Sequence, residues 1–206
     1  RQMCIRDSYY YNLTLGAGTY QYRFLAGDNL GAWNYTDIQI FSIAQGTPII
    51  SLYLNDTAGD IQFVYESLLN ASMNASDDEV SLQLFRNGTD ITSEADQFVQ
   101  LGVGVYEYVA NCTATDNYTV ATSATYYVTI TVATPTISLY LNGTASDISF
   151  IYGNQVNASM NASTDQVTLK LYRNGTDVTL QNNSFVKLGA GVYEYYVNST
   201  ATTNYT

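Results

Sequence analysis

The sequence predicts an all-β fold in which β-sandwich units follow one another along the chain. Three observations predict it: a long internal repeat, an alternation of apolar and polar residues with a period of two, and turn residues between the alternating segments. Residues 47–119 align without a gap with residues 134–206 at an offset of 87, and 47 of the 73 aligned positions are identical. Because such a repeat is one structural unit used more than once, we expect both copies to share one fold.

The period of two is clearest in residues 69–76, where Leu, Ala, Met and Ala alternate with Asn, Ser, Asn and Ser. Such alternation places one set of side chains in a core and the other in solvent, which is typical of a strand. An Asn-Gly pair occurs at residues 87–88 and again at residues 174–175. This dipeptide favours a two-residue hairpin turn, since both of its residues tolerate positive φ angles. Several short strands in about 90 residues, with turn signals between them, predict a β-sandwich.

The repeat divides the chain into four segments. Residues 1–8, RQMCIRDS, share nothing with the rest and look like the translation of a transposon end used to prepare sequencing libraries. We expect this adapter-like segment to be non-native and leave it out of the fold prediction. Residues 9–46 are predicted to be the C-terminal part of one unit (the first unit), and residues 47–133 a complete unit (the central unit). Residues 134–206 are predicted to be a unit without its last strand (the last unit), so we expect a fragment of a longer protein.

The motif Leu-Gly-x-Gly-x-Tyr-x-Tyr occurs once in each unit. The first tyrosine of the motif fits the tyrosine corner, in which a Tyr near the start of a late strand bonds to the backbone a few residues earlier. The candidate corner residues are Tyr20, Tyr106 and Tyr193. This pattern predicts tandem immunoglobulin-like β-sandwich repeats, although the inter-sheet disulfide is absent and Trp33 is expected to lie in a loop.

Three segments carry a resemblance to a known group of proteins: RNGTD, GVYEY and NYT. With these segments, residues 9–206 resemble the bacterial and archaeal immunoglobulin-like repeats that occur in tandem in surface-layer and adhesin-like proteins. The resemblance implies an extracellular location at the cell surface. It also implies that neighbouring repeats of the same chain are partners, with cell-surface glycans or proteins as further ones.

The sequon Asn-x-Ser/Thr occurs 15 times among 18 asparagines, whereas chance gives roughly four. Turn chemistry is an alternative explanation at Asn87 and Asn174, but it does not explain Asn70 and Asn74, which alternate with apolar residues within a predicted strand. It does not explain Asn111 and Asn198 either, which we expect on outward strand faces shared with Glu107 and Glu194. N-glycans are bulky and solubilising, and only 12% of the residues are charged, so we predict that some sequons are glycosylated. The candidates are Asn12, Asn34, Asn55, Asn70, Asn74, Asn87, Asn111, Asn117, Asn142, Asn157, Asn161, Asn174, Asn182, Asn198 and Asn204.

The composition excludes several classes of function. The chain has no His, and 7 Lys and Arg stand against 18 Asp and Glu; without residues 1–8 the balance is 5 against 17, a net charge of −12. Histidine catalysis and histidine metal ligation are therefore excluded, as is nucleic-acid binding through basic side chains. The apolar runs are shorter than the ~20 residues of a membrane-spanning helix. We expect no catalytic residue, no cofactor, no metal and no membrane span.

Weaker patterns leave alternatives open. The cluster Asp77-Asp78-Glu79 offers oxygen ligands of the kind calcium binds, but its copy reads Thr164-Asp165-Gln166, which favours a solvated loop. Cys112 is expected to point inward as a small buried residue. Outward tyrosines are candidates for stacking on sugars or a protein partner, or for packing under glycans; they are Tyr53, Tyr127, Tyr140 and Tyr172.

These observations predict a non-catalytic stalk or coat segment of a large, secreted, N-glycosylated cell-surface protein. One alternative is an adhesin whose repeats bind glycans or proteins, which predicts an exposed aromatic patch kept in each copy. Another is a set of accessory repeats carried by an extracellular enzyme.

Overall fold

The structure is a computed structural model, and it describes residues 11–206. The adapter-like segment, residues 1–8, lies outside this range, so its predicted origin stays a prediction. Every regular element in the described range is a β-strand, apart from two one-turn 3-10 helices at Thr92–Glu94 and Thr179–Gln181. The all-β class predicted from the alternation is confirmed.

The first unit contains two separate pairs of antiparallel strands. The strands are β1 (Gly18–Tyr22), β2 (Leu25–Gly27), β3 (Trp33–Tyr35) and β4 (Gln39–Ile43), with β1 paired to β4 and β2 to β3. The prediction that Trp33 lies in a loop is wrong, because Trp33 begins β3 opposite Gly27. The reason is the turn before it, in which the Asp28 carboxylate accepts the backbone N–H groups of Leu30 and Ala32, each at 2.9 Å.

The central unit is a sandwich of two sheets. Its strands are β5 (Ile50–Leu54), β6 (Ile61–Val64), β7 (Leu68–Ala75), β8 (Leu82–Arg86), β9 (Thr89–Asp90), β10 (Phe98–Gln100), β11 (Gly104–Cys112) and β12 (Tyr126–Thr131). One sheet has the strand order β10-β7-β5 and the other the order β6-β12-β11-β8-β9. Neighbouring strands are antiparallel except β6 and β12, which are parallel.

Both sheets of the central unit contribute apolar side chains to one core. In β7, Leu69 and Ala71 are buried while Asn74 is exposed, which confirms the inward and outward sides predicted from the alternation. Burial of the inward side chains is the main favourable contribution to the stability of such a sandwich. The largest fully buried members of this core are Leu52, Leu54, Leu69, Leu84, Tyr108 and Val128.

The Asn-Gly pairs form the predicted hairpin turns. Asn87 and Gly88 have φ angles of 50° and 76° and connect β8 directly to β9. Asn174 and Gly175, at 49° and 78°, do the same in the last unit. Positive φ at both central residues is the requirement of a type I′ turn, so a local sequence signal was sufficient here.

The last unit repeats most of the central unit. Its strands are β13 (Ile137–Leu141), β14 (Gln155–Ala162), β15 (Leu169–Arg173), β16 (Thr176–Asp177), β17 (Phe185–Lys187) and β18 (Tyr195–Ser199). They form two three-stranded sheets with the orders β13-β14-β17 and β16-β15-β18.

A cleft of about 500 Å³ marks the difference between the last unit and the central one. Residues 148–151, the copy of β6, form no strand, and no strand follows β18 within the described residues. In the central unit β6 pairs with β12, so residues 148–151 have no equivalent neighbour to pair with. Ile148, Phe150 and Val192 line the cleft.

All three candidate corner tyrosines make the same local hydrogen bond. Tyr106 donates its hydroxyl proton to the carbonyl oxygen of Gly102 at 3.0 Å. Tyr20 and Tyr193 donate to the carbonyl oxygens of the equivalent glycines, four residues before each of them, at 2.9 Å and 3.3 Å. Each bond ties the strand start to the turn before it, which is the role of a tyrosine corner.

Candidate functional site

The outward face of β7 carries two sequons. Asn74 is exposed and lies opposite Ser51 of β5, and Asn70 is half-buried and lies opposite Phe98 of β10. Because side chains alternate along a strand, Asn70 and Asn74 project from the same face, about 13 Å apart at the usual rise per residue. β14 repeats the arrangement with Asn157 and Asn161.

Exposed phenylalanines accompany these asparagines. Phe98 and Phe185 are each 69% exposed, and they lie cross-strand from Asn70 and Asn157, respectively. Neither phenylalanine was among the residues predicted from the sequence. A signal was available, since the neighbours Val99 and Val186 point inward and alternation therefore places each phenylalanine outward.

The sequons at the hairpin turns are exposed and have a structural role as well. The Oδ1 atom of Asn87 accepts the backbone N–H of Glu107 at 2.8 Å, and Asn174 does the same with Glu194 at 2.8 Å. Among the described residues, neither Nδ2 atom donates a hydrogen bond. Both asparagines therefore serve the turn and still present an amide nitrogen to solvent.

Asn55 and Asn142 use both side-chain atoms to close a loop. Each has a positive φ angle, 44° and 47°. Their Oδ1 atoms accept backbone N–H groups at 2.7 Å, from Asn70 and Asn157, respectively. Their Nδ2 atoms donate to the carbonyl oxygens of Leu68 and Gln155. At these two sequons the nitrogen that would carry a glycan is engaged in the fold.

Asn111 lies on the predicted outward side of β11, between buried Ala110 and Cys112, but the expectation that it faces solvent is wrong. Asn111 is half-buried, and its Oδ1 atom is buried without a hydrogen-bond partner. The cause is the segment after β11, which folds back and forms a β-bridge between Thr122 and Asn111. Its copy Asn198 is exposed. The period of two correctly predicted the strand but carried no information about what covers it.

The remaining sequons fall in three settings. Asn12 and Asn34 of the first unit are exposed. Asn182 is half-buried, and its Oδ1 atom accepts the backbone N–H of Met160 at 3.1 Å. Asn117 and Asn204 are half-buried, and each accepts a hydrogen bond from the preceding unit.

Asp77 and Glu79 are held by donors from the protein itself. Asp77 accepts the hydroxyl proton of Tyr118 at 2.6 Å and the backbone N–H of Glu79 at 2.9 Å, and these bonds lower its pKa from the ordinary value of 3.8. Hydrogen bonds from Thr115 and Asn117 lower the pKa of Glu79. Within residues 11–206, no group of three or more His, Cys, Asp or Glu is placed to hold a metal ion.

Cys112 points inward, as its position in β11 predicted. Its side chain is 1% exposed, and its sulfur accepts the backbone N–H of Ala121 at 3.2 Å.

No helix among residues 11–206 has the length and apolar character to cross a membrane.

The outward tyrosines do not form one shared platform. Tyr127 is exposed, while Tyr53, Tyr140 and Tyr172 are half-buried. Tyr172 stacks on Tyr196 with ring centroids 4.9 Å apart, but the equivalent pair in the central unit is Phe85 and Val109. The exposed aromatic side chain kept in both units is the phenylalanine at positions 98 and 185, whereas Tyr53 and its copy Tyr140 are kept but half-buried.

No family model matches the chain, and no curated protein matches it either. Among solved structures, the fibronectin(III)-like modules of CbhA from Clostridium thermocellum are similar, with 15% identity and a TM-score of 0.32. This similarity covers 75% of the present chain and 87% of the solved one. The assignment of a β-sandwich therefore rests on the strand order and hydrogen bonding of the chain itself.

Proposed function

We propose that the chain is a non-catalytic structural segment, a stalk or coat, of a large secreted and N-glycosylated cell-surface protein. The β-sandwich units act as spacers, and the glycans attached to their outward faces shield and solubilise them. A chain in which only 12% of the residues are charged has few ionic groups to keep its surface soluble, and glycans supply the missing polar surface.

One observation carries this proposal: Asn74 and Asn161 are exposed sequon asparagines within β-strands. They project from the outward faces of β7 and β14, away from any hairpin turn. Among the described residues, their side chains make no hydrogen bond, so turn formation does not account for them. A bulky hydrophilic group fits at these positions without disturbing the core.

The test is peptide mass spectrometry of the native protein from the cell surface. We expect glycans on Asn74 and Asn161 and unmodified side chains at Asn55 and Asn142. The second pair is a matched internal control, since it has the same sequon with its amide nitrogen bonded to the backbone. Unmodified Asn74 and Asn161 in the native protein would overturn the proposal.

A second function, recognition of a glycan or protein by the repeats, is favoured by Phe98 and Phe185. Both are 69% exposed at the same position of two units, which matches the retained aromatic patch expected of an adhesin. The same two rings are also placed to cover the first sugar of a glycan on Asn70 or Asn157. The substitution Phe98→Ala distinguishes these roles.

If Phe98 packs under a glycan, Phe98→Ala lowers the melting temperature of the glycosylated chain and leaves the unglycosylated chain unchanged. If Phe98 is a recognition residue, Phe98→Ala removes saturable binding on a glycan or protein array at unchanged melting temperature. Accessory repeats of an extracellular enzyme, the third possibility, would be indicated by a catalytic domain encoded in the same reading frame.

A further inference from the structure

The contacts between consecutive units are built from the same positions at both junctions in the chain. Here the first joint means the contacts between the first and central units, and the second joint those between the central and last units. At the first joint, the Oδ1 atom of Asn117 accepts the backbone N–H of Ala17 at 2.7 Å. At the second joint, Asn204 accepts the N–H of Val103 at 3.2 Å. Ala17 and Val103 occupy the same place in the Leu-Gly-x-Gly turn of their units.

The same asparagines are also bound to their own unit. The Nδ2 atom of Asn117 donates to the carboxylate of Glu79 at 2.9 Å, and that of Asn204 donates to the side-chain oxygen of Gln166 at 3.2 Å. Each side-chain amide therefore links two units, because its oxygen accepts a hydrogen bond from the preceding unit and its nitrogen donates one within its own unit. The acceptor is a charged carboxylate in the central unit (Glu79) and a neutral amide at the same position of the last unit (Gln166), and the hydrogen bond is present in both.

The linkers between consecutive units, Gly46-Thr47-Pro48 and Ala133-Thr134-Pro135, are fixed to the Asn-Tyr-Thr segments by backbone hydrogen bonds. Gly46 donates its N–H to the carbonyl oxygen of Asn117 at 2.8 Å and accepts the N–H of Thr119 at 2.9 Å. Ala133 makes the same pair of bonds with Asn204 and Thr206, each at 2.9 Å. A linker held on both of its polar groups has little freedom to bend.

The sequon hydroxyl groups take part as well. The Oγ1 atom of Thr119 donates to the carbonyl oxygen of Gly46 at 3.3 Å, and that of Thr206 donates to the carbonyl oxygen of Ala133 at 3.3 Å. Both side chains that define these two sequons, the asparagine and the threonine, are thus used in a joint.

At the second joint, a tyrosine pair adds an apolar contact. Tyr205 is 2% exposed, and its ring meets the edge of Tyr65, a residue of the central unit, with centroids 5.5 Å apart. The Tyr205 hydroxyl donates to Glu66 of the central unit, and Gln166 donates to the Tyr65 hydroxyl at 3.1 Å. An aromatic contact with satisfied hydroxyl groups is typical of a specific interface.

We propose that the two Asn-Tyr-Thr segments, residues 117–119 and 204–206, are joint elements that dock each unit onto the Leu-Gly-x-Gly turn of the unit before it, and that their sequons are not glycan acceptors in the folded chain. A sugar on Asn117 or Asn204 would have to occupy the space between two units. The partner recognised by each segment is therefore another repeat of the same sequence class. The statement about glycans rests on the proposed function, whereas the docking does not.

The docking is tested on the full chain, made in a host without N-glycosylation. Spin labels are placed by Ser93→Cys and Leu180→Cys, both exposed positions outside the joints, after Cys4→Ser and Cys112→Ser remove the native thiols. The distance distribution between the labels is then measured by pulsed electron paramagnetic resonance. We expect one narrow peak, since one joint geometry fixes the two units.

Three variants are expected to change the distance distribution to different degrees. Asn204→Asp keeps an oxygen acceptor for Val103 and should retain the narrow peak, although it destroys the sequon. Asn204→Ala should add a broad component, and the double variant Tyr65→Ala with Asn204→Ala should lose the narrow peak altogether. Asn161→Ala, an exposed sequon of the same unit, is the matched control and should leave the distribution unchanged.

A broad distribution in the parent chain, or a narrow peak that survives the double variant, would overturn the docking. Circular dichroism of each variant verifies that the sandwich is folded, so that a broad distribution reports the joint. Glycan occupancy is read separately in the native protein. Glycans on Asn117 and Asn204 refute the second part of the proposal, and unmodified Asn74 and Asn161 refute only the proposed function.

Discussion

The guanidinium group of Arg86, at the end of β8, donates two hydrogen bonds to the carboxylate of Glu94 in the 3-10 helix that follows β9, at 2.6 Å and 3.2 Å. A weaker contact of 3.4 Å joins Arg86 to the hydroxyl of buried Tyr108. In the last unit, Arg173 makes the equivalent bond to Gln181 at 2.9 Å. The arginine therefore makes the same contact with a charged carboxylate in one unit and with a neutral amide in the other. Comparison of the two units separates the contribution of the hydrogen bond from that of the ion pair.

The charge of this pair is expected to contribute little. The substitution Glu94→Gln converts the central unit to the arrangement of the last one, and it should lower the free energy of unfolding by about 0.5 kcal/mol, as for a partly exposed ion pair. Arg86→Ala should cost more, about 1–3 kcal/mol, because buried Tyr108 loses a polar partner. Hydrogen exchange of β11 measures both changes, and exchange of β18 measures the reverse substitution Gln181→Glu in the last unit. A loss for Glu94→Gln that equals the loss for Arg86→Ala would contradict this division.

Acid should weaken the central unit through Asp77. The Tyr118 hydroxyl and the Glu79 backbone N–H lower the pKa of Asp77 below its ordinary value of 3.8. A lowered pKa in the folded state means stability that is present above pH 3.8 and is lost as the pH falls through the folded-state pKa. The measurement compares denaturant unfolding of the parent chain and of Asp77→Asn at pH 6 and at pH 2.5.

The parent chain should be more stable than Asp77→Asn at pH 6, and the difference should shrink at pH 2.5. Asp165→Asn is the control, since Asp165 is an exposed acid of the corresponding loop in the last unit. An unchanged difference at the two pH values would show that the Asp77 carboxylate does not stabilise the folded state.

The last unit should open more readily than the central one. Its buried cluster contains Ala158, Leu171 and Val178. In the central unit, five strands, β5, β7, β8, β11 and β12, contribute buried residues to one cluster. Its cleft also leaves Phe150 and Val192 exposed to solvent. Fewer buried apolar contacts mean a lower free energy of local opening.

Hydrogen exchange followed by mass spectrometry checks this expectation directly on the intact chain. Peptides from β14 and β15 should exchange faster than those from β7 and β8, which have the matching sequences. Equal protection of the two sets would show that the cleft does not weaken the unit.

Cys112 should report the unfolding of the central unit. Its thiol is 1% exposed in the core, so alkylation requires the strand around it to open. After Cys4→Ser, we expect labelling in native buffer to be slow and to become complete in denaturant. Rapid labelling in native buffer would place the thiol at the surface. The variant Cys112→Ser should fold, because the equivalent position of the last unit is Ser199.

Local patterns predicted the strands and turns well because these elements depend on neighbouring residues. Alternation in residues 69–76 correctly assigned an inward and an outward side, and Asn-Gly at residues 87–88 correctly marked a hairpin. Trp33 was wrongly predicted to lie in a loop. Its strand depends on a turn that the Asp28 carboxylate closes by hydrogen bonds, and alternation of apolar and polar residues does not predict such a turn.

The sequons show what the sequence can predict about a modification site and what requires the structure. From the sequence alone the fifteen sequons could be separated only into turn positions and strand positions, since the motif specifies two side chains and no tertiary environment. The structure divides them by the partner of the amide group: Asn74 faces solvent, Asn55 is bonded within a loop, and Asn117 joins two units.

The amino-acid sequence by itself determined the repeat, the all-β class, the corner tyrosines and the set of sequons, because all of these are written in short-range spacing and in comparison between copies. Only the tertiary structure decided that Asn111 is covered, that Phe98 is exposed beside Asn70, and that Asn117 meets Ala17 from one hundred residues away. The physical reason is that hydrogen bonding and burial of a side chain depend on every segment that reaches it, and those segments are brought together by folding.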